Sequence, residues 1–163
     1  EKRVVNHAKL EAKENSMYKH ILIPTDGSDL SRAAALDGVK LAQALGAKVT
    51  AFFAAPAPTP LVYEGLLPVG YTTQEGHADM IAKTAAKYLG VIERACAKAG
   101  VACKSVHVTN EFAAEAIMDA AKKYKCDLIH MASHGRRGLS GVLVGSQTQK
   151  VLTHSKVPVL VYR

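Results

Sequence analysis

The chain has no tryptophan, and aromatic residues make up only 6% of the sequence. A stacking platform for single-stranded nucleic acid needs aromatic side chains among basic ones, so the composition argues against one. Long apolar runs are missing too: no segment approaches the ~20 apolar residues of a membrane-spanning helix. The first sixteen residues lack the apolar centre of a signal peptide. The sequence predicts a cytoplasmic globular protein with no membrane partner.

Cysteine is scarce, and its spacing matches no metal site. The three cysteines, an odd number, are Cys96, Cys103 and Cys126. This usage predicts reduced thiols rather than a disulfide framework. The formal net charge is +7, yet within residues 17–163 the basic residues are dispersed apart from two adjacent pairs, Lys122-Lys123 and Arg136-Arg137. Dispersed charge favours a solvated basic surface with a small anionic ligand, and makes a nucleic-acid partner unlikely.

The length of 163 residues predicts one domain with one sizeable core. We place this domain at residues 17–163. Residues 1–16 are polar and are either an N-terminal extension or a cloning remnant. Within the domain, short apolar runs alternate with segments of helical periodicity. The predicted strands are His20–Pro24, Lys48–Ala55, Val101–Val108, Asp127–Ala132 and Val157–Tyr162; the predicted helices are Leu30–Leu45, His77–Ala99, Glu111–Tyr124 and Gln147–His154.

The central strands are continuous apolar runs rather than alternating ones, which is typical of strands covered on both faces. The alternation of strands with helices therefore predicts an α/β fold with an open, five-stranded, parallel sheet and helices on both faces. Ligands of such sheets bind beyond the carboxyl ends of the strands, where the strand order reverses. The segment from Pro56 to Gly76 is a long excursion that holds four prolines, and such segments are often functional lids.

A glycine-rich loop follows the fourth predicted strand. Its glycines stand at positions 135, 138, 141 and 145, and a helix follows. Glycine lets the backbone approach a phosphate, and the first amides of a helix attract anions. The spacing fits neither the Walker loop nor the dinucleotide fingerprint. A plain flexible loop is the alternative reading. Likewise, Asp26 and Ser146 have capping of a helix as their alternative role.

Three motifs together resemble the universal stress protein family. The opening Ile21–Ser28 is similar to the start of that domain, and 154–161 to its ending. The family's nucleotide loop, Gly-x2-Gly-x9-Gly-Ser/Thr, is matched by Gly135 and Gly145-Ser146, whereas Ala132 replaces the first glycine. The resemblance covers Met17 to Arg163. It implies a Rossmann-like sheet of the adenine nucleotide alpha hydrolase type, with strand order 3-2-1-4-5.

The resemblance also implies a pocket for ATP or AMP. In it, Asp26 approaches the ribose hydroxyls or a Mg²⁺ ion that accompanies ATP, and Ala54 offers its backbone to the adenine edge. Glycine amides and a serine hydroxyl cradle the phosphates. The implied nucleotide-binding residues are Pro24, Thr25, Asp26, Ala54, Ala132, His134, Gly135, Arg136, Gly138, Gly145, Ser146, Gln147 and Thr148. No catalytic group is expected among them.

The expected function is thus a nucleotide-binding regulatory module of the stress response. Two alternatives stay open: a weak ATP hydrolase that uses Asp26 and Mg²⁺, and an interaction module that needs no nucleotide, for which Ala132 is the best support. A homodimer through Val157–Tyr162 is also expected, because family members pair this edge strand across a two-fold axis and an exposed edge strand tends to find a partner.

Overall fold

The computed structural model of the chain describes residues 17–57, 74–135 and 144–163. Along these residues strands and helices alternate. In chain order the elements are β1 (His20–Pro24), α1 (Asp29–Leu45), β2 (Lys48–Ala55), α2 (Gln74–Ala99), β3 (Cys103–Thr109), α3 (Ala113–Lys123), β4 (Leu128–Ala132), α4 (Ser146–His154) and β5 (Val159–Tyr162). Most of the 56–76 excursion lies outside the described residues.

The five strands form one parallel sheet in the order β3-β2-β1-β4-β5. The predicted fold class and strand order are therefore confirmed. Because all strands run in the same direction, their carboxyl ends lie along one rim of the sheet, here called the carboxyl rim. Their amino ends lie along the opposite rim, the amino rim. Strand order reverses between β1 and β4, so this pair marks the switch point.

Two hydrophobic cores cover the two faces of the sheet, because successive side chains of a strand point to opposite faces. Ile21 and Ile23 of β1 pack with α1 and α2 on one face. Leu22 between them packs with α3 and β4 on the other face. All three side chains are fully buried. The central strands are thus mostly apolar on both faces because helices cover both faces, as the sequence predicts.

Turn chemistry sets most element boundaries. Ser28 caps α1, since its hydroxyl accepts a hydrogen bond from the Ser31 amide at 3.2 Å. Gly46 ends the helix in the left-handed conformation, with φ of 64°. The predicted start of the last strand is wrong by two residues. Val157 bonds the Ser155 hydroxyl through both its amide and its carbonyl, so the ladder begins only at Val159.

Two buried histidines of the sheet have polar partners. His20 lies 2.8 Å from the Thr50 hydroxyl through Nε2, and His130 lies 3.1 Å from the Asp37 carboxylate. Burial lowers the pKa of both rings below the ordinary value, although Asp37 opposes this shift at His130. Gly38 makes room for His130, because a Cβ there would lie 3.0 Å from the ring nitrogen Nδ1. Both rings therefore favour the neutral form in the folded state.

Within the described ranges, no helix has the length and apolar character needed to cross a membrane.

Candidate functional site

A cavity of about 140 Å³ opens at the carboxyl rim, between the ends of β1 and β4. This is the switch point at which open α/β sheets bind ligands. The cavity collects nine of the thirteen residues that the sequence singles out, together with five others. Its lining consists of Pro24, Thr25, Asp26, Ser31, Phe52, Ala54, Ala113, Ile117, Met131, Ala132, His134, Gly135, Gln147 and Thr148.

The turn after β1 is held by its own side chains. The Thr25 hydroxyl accepts from the Gly27 amide at 3.1 Å and lies 3.1 Å from the Ser31 hydroxyl. The Asp26 carboxylate accepts from the Ser28 amide at 3.0 Å through Oδ1. Gly27 has φ of 77°, a conformation that glycine adopts without strain. Because Ser28 caps α1, the alternative reading of Asp26 as the helix cap is wrong.

The two turns of the carboxyl rim meet at Asp26 and Gly135. A Cβ built on Gly135 would collide with Oδ2 of Asp26. A glycine is therefore required at this position if the Asp26 carboxylate is to stay where it lies. The contact brings together two residues that are far apart in sequence and that belong to separate predicted motifs.

Ala54 presents its backbone to the cavity because β2 is longer than β1. The carbonyl of Phe52 accepts from the Thr25 amide at 2.9 Å, so the peptide groups of Phe52 face β1. Peptide groups alternate sides along a strand, so those of Ala54, two residues later, face the same way. There β1 has already ended at Pro24. The Ala54 amide and carbonyl therefore point past the end of β1, towards the cavity.

The end of β4 supports an alanine without strain. Among the described non-glycine residues, Lys125 is the one with a positive φ, so the Ala132 backbone has the negative φ that a methyl group tolerates. The next residue closes the base of the glycine-rich loop, because the Ser133 carbonyl accepts from the Gly145 amide at 2.7 Å. The Ser133 hydroxyl also lies 3.2 Å from Nδ1 of His134.

The first turn of α4 faces the cavity, but its polar groups have partners. The Thr148 hydroxyl, which is buried, donates to the Ala132 carbonyl at 3.0 Å. The Gln147 side chain accepts from the Ala114 amide at 3.1 Å through Oε1, which leaves its amide nitrogen for a ligand. Gly145, and not Ser146, is the N-cap of α4. The alternative reading of Ser146 as a capping residue is therefore wrong.

Two of the predicted residues that the structure describes do not line this cavity. Gly145 and Ser146 lie at the start of α4, next to the lining residue Gln147. The Gly145 amide, which we expected to face a phosphate, instead donates to Ser133 in this conformation. Arg136 and Gly138 lie outside the described residues. Among the described residues, the first backbone amides of α4 and the Ser146 side chain remain at this point for an anion.

Five residues that line the cavity were not predicted from the sequence. Phe52, Ile117 and Met131 form a buried apolar floor. Their apolar runs predict core positions correctly but carry no sign of a cavity. Ser31 and Ala113 belong to the first turns of α1 and α3. The polar residues that follow β1 continue into the first turn of α1. Ser31, which we did not predict, is the polar residue of that turn that could have indicated the site.

A larger cavity, of about 310 Å³, lies on the other side of the turn after β1, between α1 and α2. Thr25 is the one predicted residue among its lining residues. The smaller cavity is the candidate site, because it lies at the switch point and is lined by residues from the ends of three strands and the starts of three helices. Volume alone would favour the larger cavity.

Metal-binding capacity at the candidate site is limited to one carboxylate. Of the described residues that line the cavity, Asp26 is the only acidic one. Elsewhere in the described ranges, no cluster of three or more histidine, cysteine, aspartate or glutamate side chains is arranged to hold a metal ion. Magnesium often binds through one or two carboxylates together with substrate phosphates, so Asp26 fits a Mg²⁺ ion that arrives with a phosphate ligand.

Comparison with known proteins gives one consistent family. The sequence profile of the universal stress protein family matches residues 17–163. A universal stress protein of Methanocaldococcus jannaschii is 31% identical, over 91% of this chain and 84% of that protein. The solved structure of UspA from Lactobacillus plantarum is 25% identical and superposes with a TM-score of 0.70, covering 91% of this chain and 100% of that one.

Several structures of the same fold contain adenine nucleotides. A universal stress protein in complex with cAMP is 23% identical with a TM-score of 0.67, over 91% of this chain and 99% of that one. Two more family members, from Archaeoglobus fulgidus and Arabidopsis thaliana, contain dAMP and AMP. At such low identities, these structures bear on the fold of the present chain. With the profile match over the whole described fold, the chain belongs to the universal stress protein family.

Proposed function

We propose that this chain binds an adenine nucleotide, ATP or AMP, in the cavity at the carboxyl rim, and that it acts as a regulatory module of the stress response in the cytoplasm. The observation that carries the proposal is the meeting of the β1 turn with the β4–α4 connection around one cavity. The family members that contain cAMP, dAMP and AMP support the choice of nucleotide.

The adenine ring fits the deeper part of the cavity. The apolar floor of Phe52, Ile117 and Met131 offers a dry surface for an aromatic ring. The outward peptide groups of Ala54 supply a donor and an acceptor at its edge, and such a pair distinguishes one base edge from another. Hydrogen bonding to a fixed backbone costs little conformational entropy, because the strand already holds these groups in place.

The ribose and phosphates extend towards α4. The cavity of about 140 Å³ is smaller than the roughly 300–1,000 Å³ of a pocket for a whole drug-sized ligand, so part of the nucleotide must lie outside it. Asp26 and Ala132 flank the ribose in our proposal, while His134 and Gly135 approach the first phosphate. The first amides of α4, the Ser146 hydroxyl and the residues Arg136 and Gly138 serve the phosphates further out.

Magnesium accompanies ATP in this proposal and would be held by Asp26 and the phosphates. Bound there, the ion would neutralise phosphate charge. The Asp26 carboxylate is oriented in part by the Ser28 amide, which donates to Oδ1 at 3.0 Å.

Regulation fits the site better than catalysis does. The described lining residues hold one carboxylate, Asp26, and one imidazole, His134, and the His134 ring already contacts the Ser133 hydroxyl. Occupancy would instead change the surface formed by the two turns, since Asp26 and Gly135 touch each other there. A partner protein would read that surface.

Homodimerisation through the last strand is the second part of the proposal. Among the described residues, β5 pairs with β4 on one side only, and its side chains are half-buried or exposed. Leu160 is 44% exposed, so its apolar side chain is available to a second copy. Because Pro158 lies before the strand, it leaves the β5 amides able to pair with a second copy. Light scattering should give twice the monomer mass, and a monomer would contradict this part.

The test of nucleotide binding starts from purified protein. Denaturation followed by chromatography and mass spectrometry should release AMP or ATP in stoichiometric amount. Protein freed of nucleotide should then bind AMP, and ATP with Mg²⁺, in calorimetric titration. An Asp26→Ala variant should bind each of them about 10- to 100-fold more weakly, because a charge-assisted hydrogen bond contributes about 1.5–3 kcal/mol.

The matched control is Asp37→Ala, which also removes a carboxylate. Asp37 belongs to α1, pairs with His130 and does not line the cavity. It should bind nucleotide as tightly as the wild type. Failure of the wild type to bind any of the nucleotides at millimolar concentration would overturn the proposal and favour the nucleotide-independent module. Release of phosphate that requires Asp26 would favour the weak hydrolase.

A further inference from the structure

The amino rim of the sheet carries one lysine for each strand. Within three residues of each strand's first residue lies an exposed lysine: Lys104 at β3, Lys48 at β2, Lys19 at β1, Lys125 at β4 and Lys156 at β5. In the sheet order these five form a row. Neighbouring strands are about 4.8 Å apart, so the row extends over about 19 Å. We call these five residues the lysine row.

The ammonium groups of the lysine row have no acidic partner in the described structure. No salt bridge joins any of the five to an aspartate or glutamate among residues 17–57, 74–135 and 144–163. One acidic residue, Asp127, lies among the described residues just before the strands. Its two oxygens accept from the backbone amides of Lys19 and His20, at 2.8 and 2.9 Å. The five positive charges of the row therefore exceed the two negative charges nearby, those of Asp127 and of Glu93, which acts on Cys103 at the start of β3.

Helix dipoles explain some lysines at this rim but not the row. The helices end at the amino rim, where their carbonyl ends carry partial negative charge and favour cations in the last turn. Lys98, Lys122 and Lys123 occupy such positions in α2 and α3. The lysines of the row instead lie at the starts of the strands, outside the helices. Lys156, for example, comes after the end of α4 and before β5. Stabilisation of helices does not require one lysine for every strand.

Part of the row is held in place. Lys104 of the row and Lys123 of α3 lie over the ring of Tyr124, with their ammonium nitrogens 4.9 and 5.6 Å from its centre. A cation held against an aromatic face loses less entropy when it binds an anion. Because both cations already lie over the ring of Tyr124, stacking of a base on that ring is disfavoured.

We propose that the lysine row docks the phosphate backbone of a nucleic acid without reading its bases. A duplex carries one charge per about 1.7 Å of axis, so a length of about 19 Å carries roughly 11 backbone charges over its two strands, and part of them can face the row. A line of charge matches a linear polyanion better than a membrane, which binds through a broad basic face with apolar residues inserted beside it. The chain order disperses these lysines, which is why the sequence argues against this partner. The sheet brings them together.

The experiment uses the full chain and a fluorescein-labelled DNA duplex of about 20 base pairs, followed by anisotropy over a range of salt concentrations. Wild-type protein should bind at about 50 mM salt and weaken steeply as salt rises, with a Kd near 10⁻⁴–10⁻⁶ M at physiological salt. The variant Lys19→Glu/Lys48→Glu/Lys125→Glu should bind at least about tenfold more weakly. The slope of the logarithm of the binding constant against the logarithm of the salt concentration should be shallower by about 3, because each substituted lysine no longer displaces the counterions of one phosphate.

The control Lys40→Glu/Lys83→Glu/Lys150→Glu carries the same net charge on three exposed lysines away from the rim. It should keep most of the wild-type affinity. Equal weakening in both variants, no binding of DNA by the wild type at about 50 mM salt, or binding only to vesicles of anionic phospholipid would each overturn the proposal. Circular dichroism checks folding. Titration with AMP, which neither triple variant should alter, separates this result from that of the nucleotide site.

Discussion

The two rims of the sheet carry charge in different ways. At the carboxyl rim the helices begin, and the residues that face the cavity are mostly small, hydroxyl-bearing or apolar; Asp26 is the one described acid, and His134 and Gln147 are the other polar side chains. At the amino rim the helices end, and exposed lysines stand beside the start of every strand. The first rim carries fixed backbone dipoles, which suit the small ligand that we propose, whereas the second carries point charges on side chains, which suit the large one.

This difference has a general cause. In a parallel sheet with helices on both faces, every connection from strand to helix lies at one rim and every connection from helix to strand at the other. Partial positive charge from helix N-termini therefore accumulates at the carboxyl rim without any basic side chain. At the amino rim a basic field has to come from side chains. The two rims can thus change independently, and variants at one rim should leave the other unaffected.

The largest expected effect comes from adding a single methyl group at the carboxyl rim. Gly135→Ala places a Cβ against the Asp26 carboxylate and should weaken AMP binding by about 10- to 100-fold, as judged by calorimetry. Gly100→Ala at the amino rim is the matched control. Gly100 has φ of 68° but no neighbouring atom within 4 Å of the added Cβ, so stability should fall slightly while affinity for AMP stays unchanged. Equal affinities for all three proteins would show that the Asp26–Gly135 contact does not shape the site.

At the amino rim, Asp127→Asn should destabilise the protein without changing its nucleotide affinity. The carboxylate accepts two backbone amides at the start of β1, and an asparagine has only one oxygen to offer them. Removal of one such bond costs about 1–3 kcal/mol, which urea denaturation will detect. An unchanged free energy of unfolding would contradict the role of Asp127, and a weaker nucleotide affinity would contradict the independence of the rims.

Thr148→Val should also lower stability, by up to about 2 kcal/mol, because it leaves the buried carbonyl of Ala132 without its donor. The control lies on the same helix: Thr153 also donates to a carbonyl, but it is exposed, so Thr153→Val should change stability by less than about 0.5 kcal/mol. If the two variants are equally stable, Thr148 does not fix the start of α4 to the end of β4.

The smallest effect is a decrease in stability on mild acidification. Burial lowers the pKa of His20 and His130 in the folded protein, so the unfolded chain binds more protons than the folded protein does. The free energy of unfolding therefore decreases as the pH is lowered. The decrease should begin as pH passes below about 6.5, the ordinary histidine value, and continue to the lowered pKa. Urea denaturation at about pH 7 and about pH 5.5 should show a difference that is smaller in His130→Gln. A wild-type stability that is the same at both pH values would contradict this account.

Much of the carboxyl rim can be predicted from sequence because its signals are local. The turn residues after β1 are adjacent in the chain, and Gly46 ends α1 one residue after its last apolar position. The apolar strands follow from equally short patterns. Such features depend on the backbone preferences of a few adjacent residues, so the local sequence is enough to predict them.

The remaining features depend on contacts between distant residues. The Gln147 side chain supplies the acceptor for Ala114, 33 residues earlier, in place of a side-chain cap on α3. The Gly145 amide is taken by Ser133, so its expected role in holding phosphate does not survive in this conformation. The lysine row is likewise scattered from position 19 to position 156. Only the strand order 3-2-1-4-5 turns those positions into neighbours.

The most direct test of the central claim is a titration of ¹⁵N-labelled protein with AMP, followed by the amide shifts of both rims in one experiment. We expect large shifts at Thr25, Ala54, Ala132 and Gln147, which surround the proposed nucleotide site, and unchanged shifts at Lys48 and Lys104 on the amino rim. Shifts confined to the amino rim, or no shifts at millimolar AMP, would contradict the claim that the carboxyl rim is built to bind an adenine nucleotide.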